Sequence, residues 1–174
     1  MSLLKKAFDN LISINNLLLK LRMISIASNK KLKKVDLSES ITKSIEYFRK
    51  IAEEKGIKIR YDGSGGYVIA DEMLVNIFSN LIENSIKHSE CKNIYISVKE
   101  SNDEYIIEIR DDGKGIPEEI KDKIFEIGVK SRESRGSGLG LHLTKMIIES
   151  YGGKIFLKDV EKGAAFEIHL KKYS

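Results

Sequence analysis

The chain has 174 residues, with 30 Lys and Arg against 26 Asp and Glu, three His and one Cys, for a formal net charge of +4. That length holds one domain with a real core plus an appendage, and the lone Cys91 excludes an intrachain disulfide or a cysteine-cluster metal site. The basic excess lies in scattered lysines without the aromatic interleaving of a nucleic-acid platform, and no apolar run of membrane-spanning length or signal-peptide pattern occurs, so a soluble, cytoplasmic piece with no nucleic-acid partner is expected.

Residues Leu3 to Ile26 carry a heptad-like seam of Leu4, Leu11 and Leu18 with Ala7, Ile14 and Leu21, widened by Leu3, Leu17 and Ile24. One helix cannot leave so broad an apolar face in water, so it packs on other helices, on a second copy or back on its own domain. Asn29 to Asp36 loses the pattern and reads as a charged connector. Asp36 or Ser38 then caps a helix to about Lys55, with Leu37, Ile41, Ile45, Phe48 and Ala52 inward and Gly56 as its stop. Ile57 to Tyr61 and Tyr67 to Ala70 read as short strands around the turn-rich DGSGG. From Asp71 to His88 a helix is expected, burying Leu74, Ile77, Phe78, Leu81, Ile82 and Ile86. Asn93 to Lys99 and Glu104 to Arg110 alternate and form a hairpin, a short helix starts at Pro117, and IFE follows at Ile124 to Glu126. After the polar stretch GVKSRESRGSG comes an amphipathic helix, Leu139 to Tyr151, stopped by Gly152 and Gly153, and a closing hairpin of Lys154 to Lys158 with Ala165 to Leu170. Strands in hairpins mixed with helices indicate α+β, a sheet with helices on one face.

Three stretches carry chemistry. The polar side of the Asp71 to His88 helix is lined by Asn76, Asn80, Asn84 and Lys87. Asparagine is a poor helix-interior residue, and a row of amides ending in lysine offers neutral oxygen ligands for a hard cation and a positive charge for a phosphate; a solvated face is the bland alternative. DDGKG, Asp111 to Gly115, ends a buried-looking strand with an acid and spaced glycines, which lets a carboxylate face a flat ligand that the backbone approaches closely. GSGLGL, Gly136 to Leu141, opens a helix, where free N–H groups and the helix dipole meet an anion. Before it, Lys130, Arg132 and Arg135 either close on phosphates as a mobile lid or are simply solvated charges. The dinucleotide fingerprint and the phosphate loop ending in GK[ST] are both absent.

This order of motifs resembles the ATP-binding catalytic domain of sensor histidine kinases, in the ATPase group shared with gyrase, the Hsp90 chaperones and MutL proteins. The resemblance covers about the last four-fifths of the chain: NLIENSIKH is similar to the N box, DDGKGIP to the first glycine box, IFE to the F box and GSGLGL to the second glycine box. INNLLLKLRM followed by VDLSESI resembles the second helix of the dimerisation and phosphotransfer domain. The resemblance implies a two-layer α/β sandwich of the Bergerat type over residues 31–174, with the dimerisation helix in residues 1–30 and a homodimer through residues 3–26. It implies that Asn84 binds Mg²⁺ and Asn80 supports that site, that Lys87 touches the phosphates of ATP and His88 flanks the nucleotide. Asp111 would read the adenine amine in a pocket shaped by Gly113, Gly115 and Ile116. Phe125 would anchor the lid, and Gly136, Ser137, Gly138, Leu139 and Gly140 would cradle phosphates. A phosphoacceptor histidine helix and a response-regulator receiver domain are the implied partners.

Four departures matter. The hydrolytic relatives place a glutamate base four residues before the metal asparagine; here that position is Asn80, and Glu83, about 100° away from Asn84 on the helix, should point elsewhere. Transfer to an imidazole needs no such base, so a kinase is favoured over an ATPase or clamp, a serine-directed kinase, or a non-catalytic dimerisation module. Val129 stands where a second lid aromatic is usual, and Ala165 where a threonine is. The only proline is Pro117, and His88, His142 and His169 each belong to another element, so the acceptor histidine is expected on a separate helix.

Overall fold

The computed structural model describes residues 31–130 and 138–173, and all of these but Lys31 fall in the compact unit Leu32–Ser174. The apolar seam expected over Leu3 to Ile26 lies outside the described residues. The end of the expected connector is instead a strand: β1 (Lys33–Asp36) pairs antiparallel with β3 (Tyr67–Ala70), Val35 opposite Val68. Lys34 Nζ sits 3.9 Å from the Tyr67 ring centre and 5.8 Å from that of Tyr173, so a charged strand is held through its lysine's aromatic contacts.

Asp36 caps α1 (Leu37–Glu54), its Oδ1 accepting from Glu39 N at 2.8 Å. Leu37, Ile41, Phe48 and Ala52 are buried as their spacing requires, and Gly56, at φ +67°, supplies the left-handed stop. On α2 (Leu74–His88) all six expected apolar residues are buried, roughly 1.5 to 3 kcal/mol each. Ser44 Oγ, fully buried on α1, reaches Val75 O at 2.9 Å and ties the two helices.

The main sheet runs β2 (Lys58–Asp62), β4 (Asn93–Glu100), β5 (Glu104–Asp111), β7 (Ala165–Lys171), β6 (Lys154–Lys158). The β4–β5 and β6–β7 hairpins form as expected. Strands β2 and β3, adjacent in sequence, do not pair: β2 lies parallel to β4 and β3 belongs to the small sheet with β1. Tyr105, Ile107, Ile109 and Asp111 of β5 face inward, and Glu104, Ile106, Glu108 and Arg110 face the open side. Helices α1, α2 and α4 (Gly140–Ser150) cover the inner face; the single turn α3 (Glu118–Lys121) follows Pro117. This is the expected α+β sandwich. No helix among the described residues is long and apolar enough to cross a membrane.

Candidate functional site

The C-terminal half of α2 is welded to the loop that leaves β5. Ser89 Oγ donates back to Ser85 O at 2.7 Å, and Lys114 N donates to Ser89 O at 2.7 Å. A Cβ at Gly113 would lie 2.0 Å from Ser89 O, so only glycine lets the two backbones approach this closely.

The two aspartates of DDGKG part company there. Asp112 accepts from Lys92 N, Asn93 N and Asn93 Nδ2 at 2.8 to 2.9 Å, and the Asn93 side chain leads the hydrogen bonds that hold its carboxyl down to about 2. Asp111, only 3% exposed, turns inward: Oδ2 accepts from Ser85 Oγ at 2.9 Å and Oδ1 from Gly113 N at 3.0 Å. Gly163 closes on it from β7's approach, at φ +80°; a Cβ there would be 1.8 Å from Asp111 O. Gly115, at φ +78°, lies against the Gly163 carbonyl, and Ile116 beside it is half-buried.

Along α2, Asn80 Nδ2 donates to Thr144 Oγ1 on α4 at 2.9 Å, and a Cβ at Gly140 would stand 2.6 Å from Asn80 Oδ1. One turn further, Asn84 is half-buried and its carboxamide has no side-chain hydrogen bond among the described residues. Lys87 pairs with Glu83, one turn back, so Glu83 is engaged along its own stripe. His88 closes the helix; partial burial, then the charge of Lys87, hold its imidazole below the ordinary value.

Phe125 stacks edge-to-face on Phe166 at 6.2 Å, and His142 Nδ1 donates to its carbonyl at 2.8 Å. Gly128 N donates to Gly138 O at 3.1 Å, so the polar stretch leaves and returns at one point. Gly138, at φ +68°, packs on the Gly128 backbone, and Leu139 precedes α4 with no side-chain cap on its first N–H groups. Val129 is half-buried, Lys130 exposed and Ala165 buried. Arg132, Arg135, Gly136 and Ser137 lie outside the described residues.

Asn80, Asn84, Asp111, Gly113 and Gly140 are thus brought to one wall, α2, while Gly115 packs on Gly163 beside Asp111. Ser85, Thr144 and Gly163 join them without having been singled out in the sequence; Gly163 belongs to VEKG, which reads as the turn of the closing hairpin. A groove of about 590 Å³ lies elsewhere, on the outer flank of α4, lined by Phe125, Ile127, His142, Lys145 and Met146; it shares no residue with this wall, and of the expected site residues it contains only Phe125. No cluster of three or more His, Cys, Asp or Glu that could hold a metal occurs among the described residues.

A profile of the family described as histidine kinase-, DNA gyrase B-, and HSP90-like ATPase matches residues 69–174. The sensor protein CitS of Halalkalibacterium halodurans is 36% identical over 124 residues, which is 66% of this chain and 23% of that protein, so the chain spans about a quarter of this relative. Among solved structures, the catalytic domain of histidine kinase ThkA superposes with a TM-score of 0.73 at 26% identity, covering 82% of this chain and 97% of that one. The fold also matches ThkA solved in complex with the response regulator protein TrrA, with a TM-score of 0.71 at 23% identity over 99% of this chain and 52% of that one.

Proposed function

The chain belongs to the histidine kinase-, DNA gyrase B- and HSP90-like ATPase family as an ATP-binding histidine kinase catalytic domain, and from that premise we propose that it presents Mg²⁺-ATP to a histidine on a separate helix and transfers the γ-phosphoryl group there. The observation that carries this reading is that one helix, α2, touches both glycine-rich motifs at once: Ser85 and Ser89 meet Asp111 to Lys114, and Asn80 meets Gly140 and Thr144. Motifs about 25 and 60 residues away from α2 thereby share one wall, as a base-to-phosphate site needs.

Asn84 is the residue we assign to Mg²⁺. Its carboxamide oxygen is a hard neutral ligand with no partner among the described residues, and the absence of a carboxylate cluster among them suits an ion that keeps most of its coordination to phosphates and water. When bound, the ion neutralises charge on the transferring phosphoryl group. Lys87 is assigned to the phosphates: its pair with Glu83 is more than a third exposed on each side, worth no more than about 1 kcal/mol, so a triphosphate can take the lysine at small cost. Asp111 is assigned to the exocyclic amine of adenine, His88 and Ile116 to the flanks of the nucleotide, and the uncapped start of α4 with Gly138, Leu139 and Gly140 to the phosphates. Asn80 cannot take a proton from water and its amide already donates to Thr144, which favours transfer to an imidazole over hydrolysis.

The Leu3 to Ile26 seam is proposed as the second dimerisation helix, pairing with a second copy in a cytoplasmic assembly, with a response-regulator receiver domain taking the phosphoryl group; the ThkA–TrrA complex supports that partner class. Calorimetric titration with a non-hydrolysable ATP analogue, with Mg²⁺ and with EDTA, tests the site. Wild type should bind in a Mg²⁺-dependent manner and Asn84→Ala should lose that dependence; equal affinity in the two proteins would remove the assignment.

A further inference from the structure

We infer that Thr144 is a positioning residue for the metal and phosphate end of the site: it holds the amino end of the Asn80 carboxamide on α4 and so leaves the oxygen end facing Gly140, where α4 begins. The inference rests on the Mg²⁺-ATP reading and specifies which end of Asn80 serves it.

A carboxamide has a donor end that suits phosphate oxygens and an acceptor end that suits a hard cation, and half a turn about its last bond exchanges them. Asn80 is not free to make that turn. Its Nδ2 donates to Thr144 Oγ1 at 2.9 Å, and Thr144 is only 2% exposed, so water does not compete for the bond. Oδ1 accepts no hydrogen bond among the described residues and is the nearest atom, at 2.6 Å, to a Cβ built on Gly140. Asn84 stands one turn further along α2, so the Asn80 oxygen lies on the same stripe as the residue assigned to the ion.

Thr144 can fix the amide because α4 is itself fixed. At the far end of the helix pair Tyr151 Oη donates to Asp71 Oδ1, which also accepts from Met73 N at 2.8 Å just before α2 begins, and both side chains are buried. The two helices are therefore tied at Asp71 with Tyr151 and again at Asn80 with Thr144, with Ile147 and Ile148 buried between the ties. A β-branched side chain in a helix has few χ1 choices, so the hydroxyl stays aimed at Asn80. Valine would keep the shape and lose the acceptor. The freed Nδ2 would then turn to the acceptors that the reading puts nearest, the triphosphate oxygens at the start of α4, and Asn80 would bind phosphate instead of supporting the ion.

The test titrates the full chain with a non-hydrolysable ATP analogue, in Mg²⁺ and in EDTA, below the unfolding transition of every variant. Thr144→Val should lower the ratio of the two affinities by on the order of tenfold, while its affinity in EDTA stays within about threefold of wild type. Thr144→Ser, which keeps the hydroxyl, should hold the ratio to within about threefold. Thr144→Ala, which adds no bulk, gives the same measurement if the valine variant does not fold. In an Asn80→Ala background the valine substitution should have almost no further effect on the ratio, because Thr144 acts through that amide. An unchanged ratio in Thr144→Val, an equal loss of affinity in Mg²⁺ and EDTA, a serine variant as impaired as valine, or additive losses in the double variant overturns the inference and leaves the Mg²⁺-ATP reading standing. A wild type whose binding does not depend on Mg²⁺ overturns that reading, and this inference with it.

Discussion

Replacing Gly163 with alanine should damage both the fold and the site, and the size of the effect can be worked out by comparison with Gly56. Both glycines have left-handed backbones, φ +80° and +67°. An L-residue in that conformation costs roughly 1 to 2 kcal/mol. At Gly56 a Cβ meets nothing within 4 Å, so Gly56→Ala should cost that much and no more. At Gly163 the Cβ would lie 1.8 Å from Asp111 O and 3.1 Å from Asp111 Oδ1, and the nearest atom is the backbone carbonyl of the last residue of β5, held opposite Ile94 of β4. Relieving such overpacking adds about 1 to 3 kcal/mol, for a total near 2 to 5 kcal/mol. At about 3 °C per kcal/mol, thermal unfolding followed by circular dichroism should show Gly56→Ala down by about 3 to 6 °C and Gly163→Ala by about 6 to 15 °C. Because the displaced group is Asp111, Gly163→Ala should also weaken adenine nucleotide binding, whereas Gly56→Ala should not. A Gly163→Ala protein that unfolds with Gly56→Ala and binds nucleotide normally would refute the packing argument.

Thr144→Val removes the acceptor for Asn80 Nδ2 in a site only 2% exposed and should cost about 1 to 3 kcal/mol in denaturant unfolding, with Thr144→Ser recovering most of it; equal stability of Val and Ser variants would show the bond to be idle. Asp112 has a carboxyl held below its ordinary 3.8 at about 2, so its stabilisation is present above the unfolded value and is lost as pH falls through the folded one. Asp112→Ala should therefore cost about 1 kcal/mol near neutrality, after discounting for solvent, and should flatten the stability profile between about pH 4 and pH 2. His169 on the open sheet face has the opposite sign: burial pushes its imidazole down, but hydrogen bonds to Glu167 at 3.0 Å and Glu104 at 2.8 Å outweigh it, and the net value is raised above 6.5. Its contribution is complete below the ordinary value and fades as pH rises through the raised one, so stability measured from about pH 6 to pH 9 should decline less in His169→Gln than in wild type.

The features legible in the chain were the local ones. The α2 stripe, the α1 cap at Asp36 and both hairpins follow from periodicity and turn chemistry that any window of a dozen residues displays. Glu83 was expected to point away from the Asn84 position, and it pairs with Lys87. What escaped was non-local. Lys33–Asp36 carries two lysines and no alternation, and becomes a strand only because β3 offers a ladder and Tyr67 a ring for Lys34. The parallel pairing of β2 with β4 spans an intervening helix, which no periodicity announces. Gly163 looks like a turn glycine until the approach of Asp111 is known, and Ser85 sits among residues chosen for burial. Both become informative only when β5 is placed between α2 and β7.

The small sheet has one more implication, concerning the covalent order of the unit. Strand β3 is flanked by β1 on one side, while Val68 bridges Lys172 and Tyr173 N donates to Tyr67 O at 2.8 Å. Segments 33–36 and 172–173 therefore run beside the same strand, with the Lys34 ammonium reaching the rings of Tyr67 and Tyr173. The unit is close to being a closed ring of elements, and its connectivity is separable from its packing. A circular permutant, joined by a short flexible linker across these two segments and opened in the exposed Ser101–Asp103 turn, keeps every sheet neighbour described above.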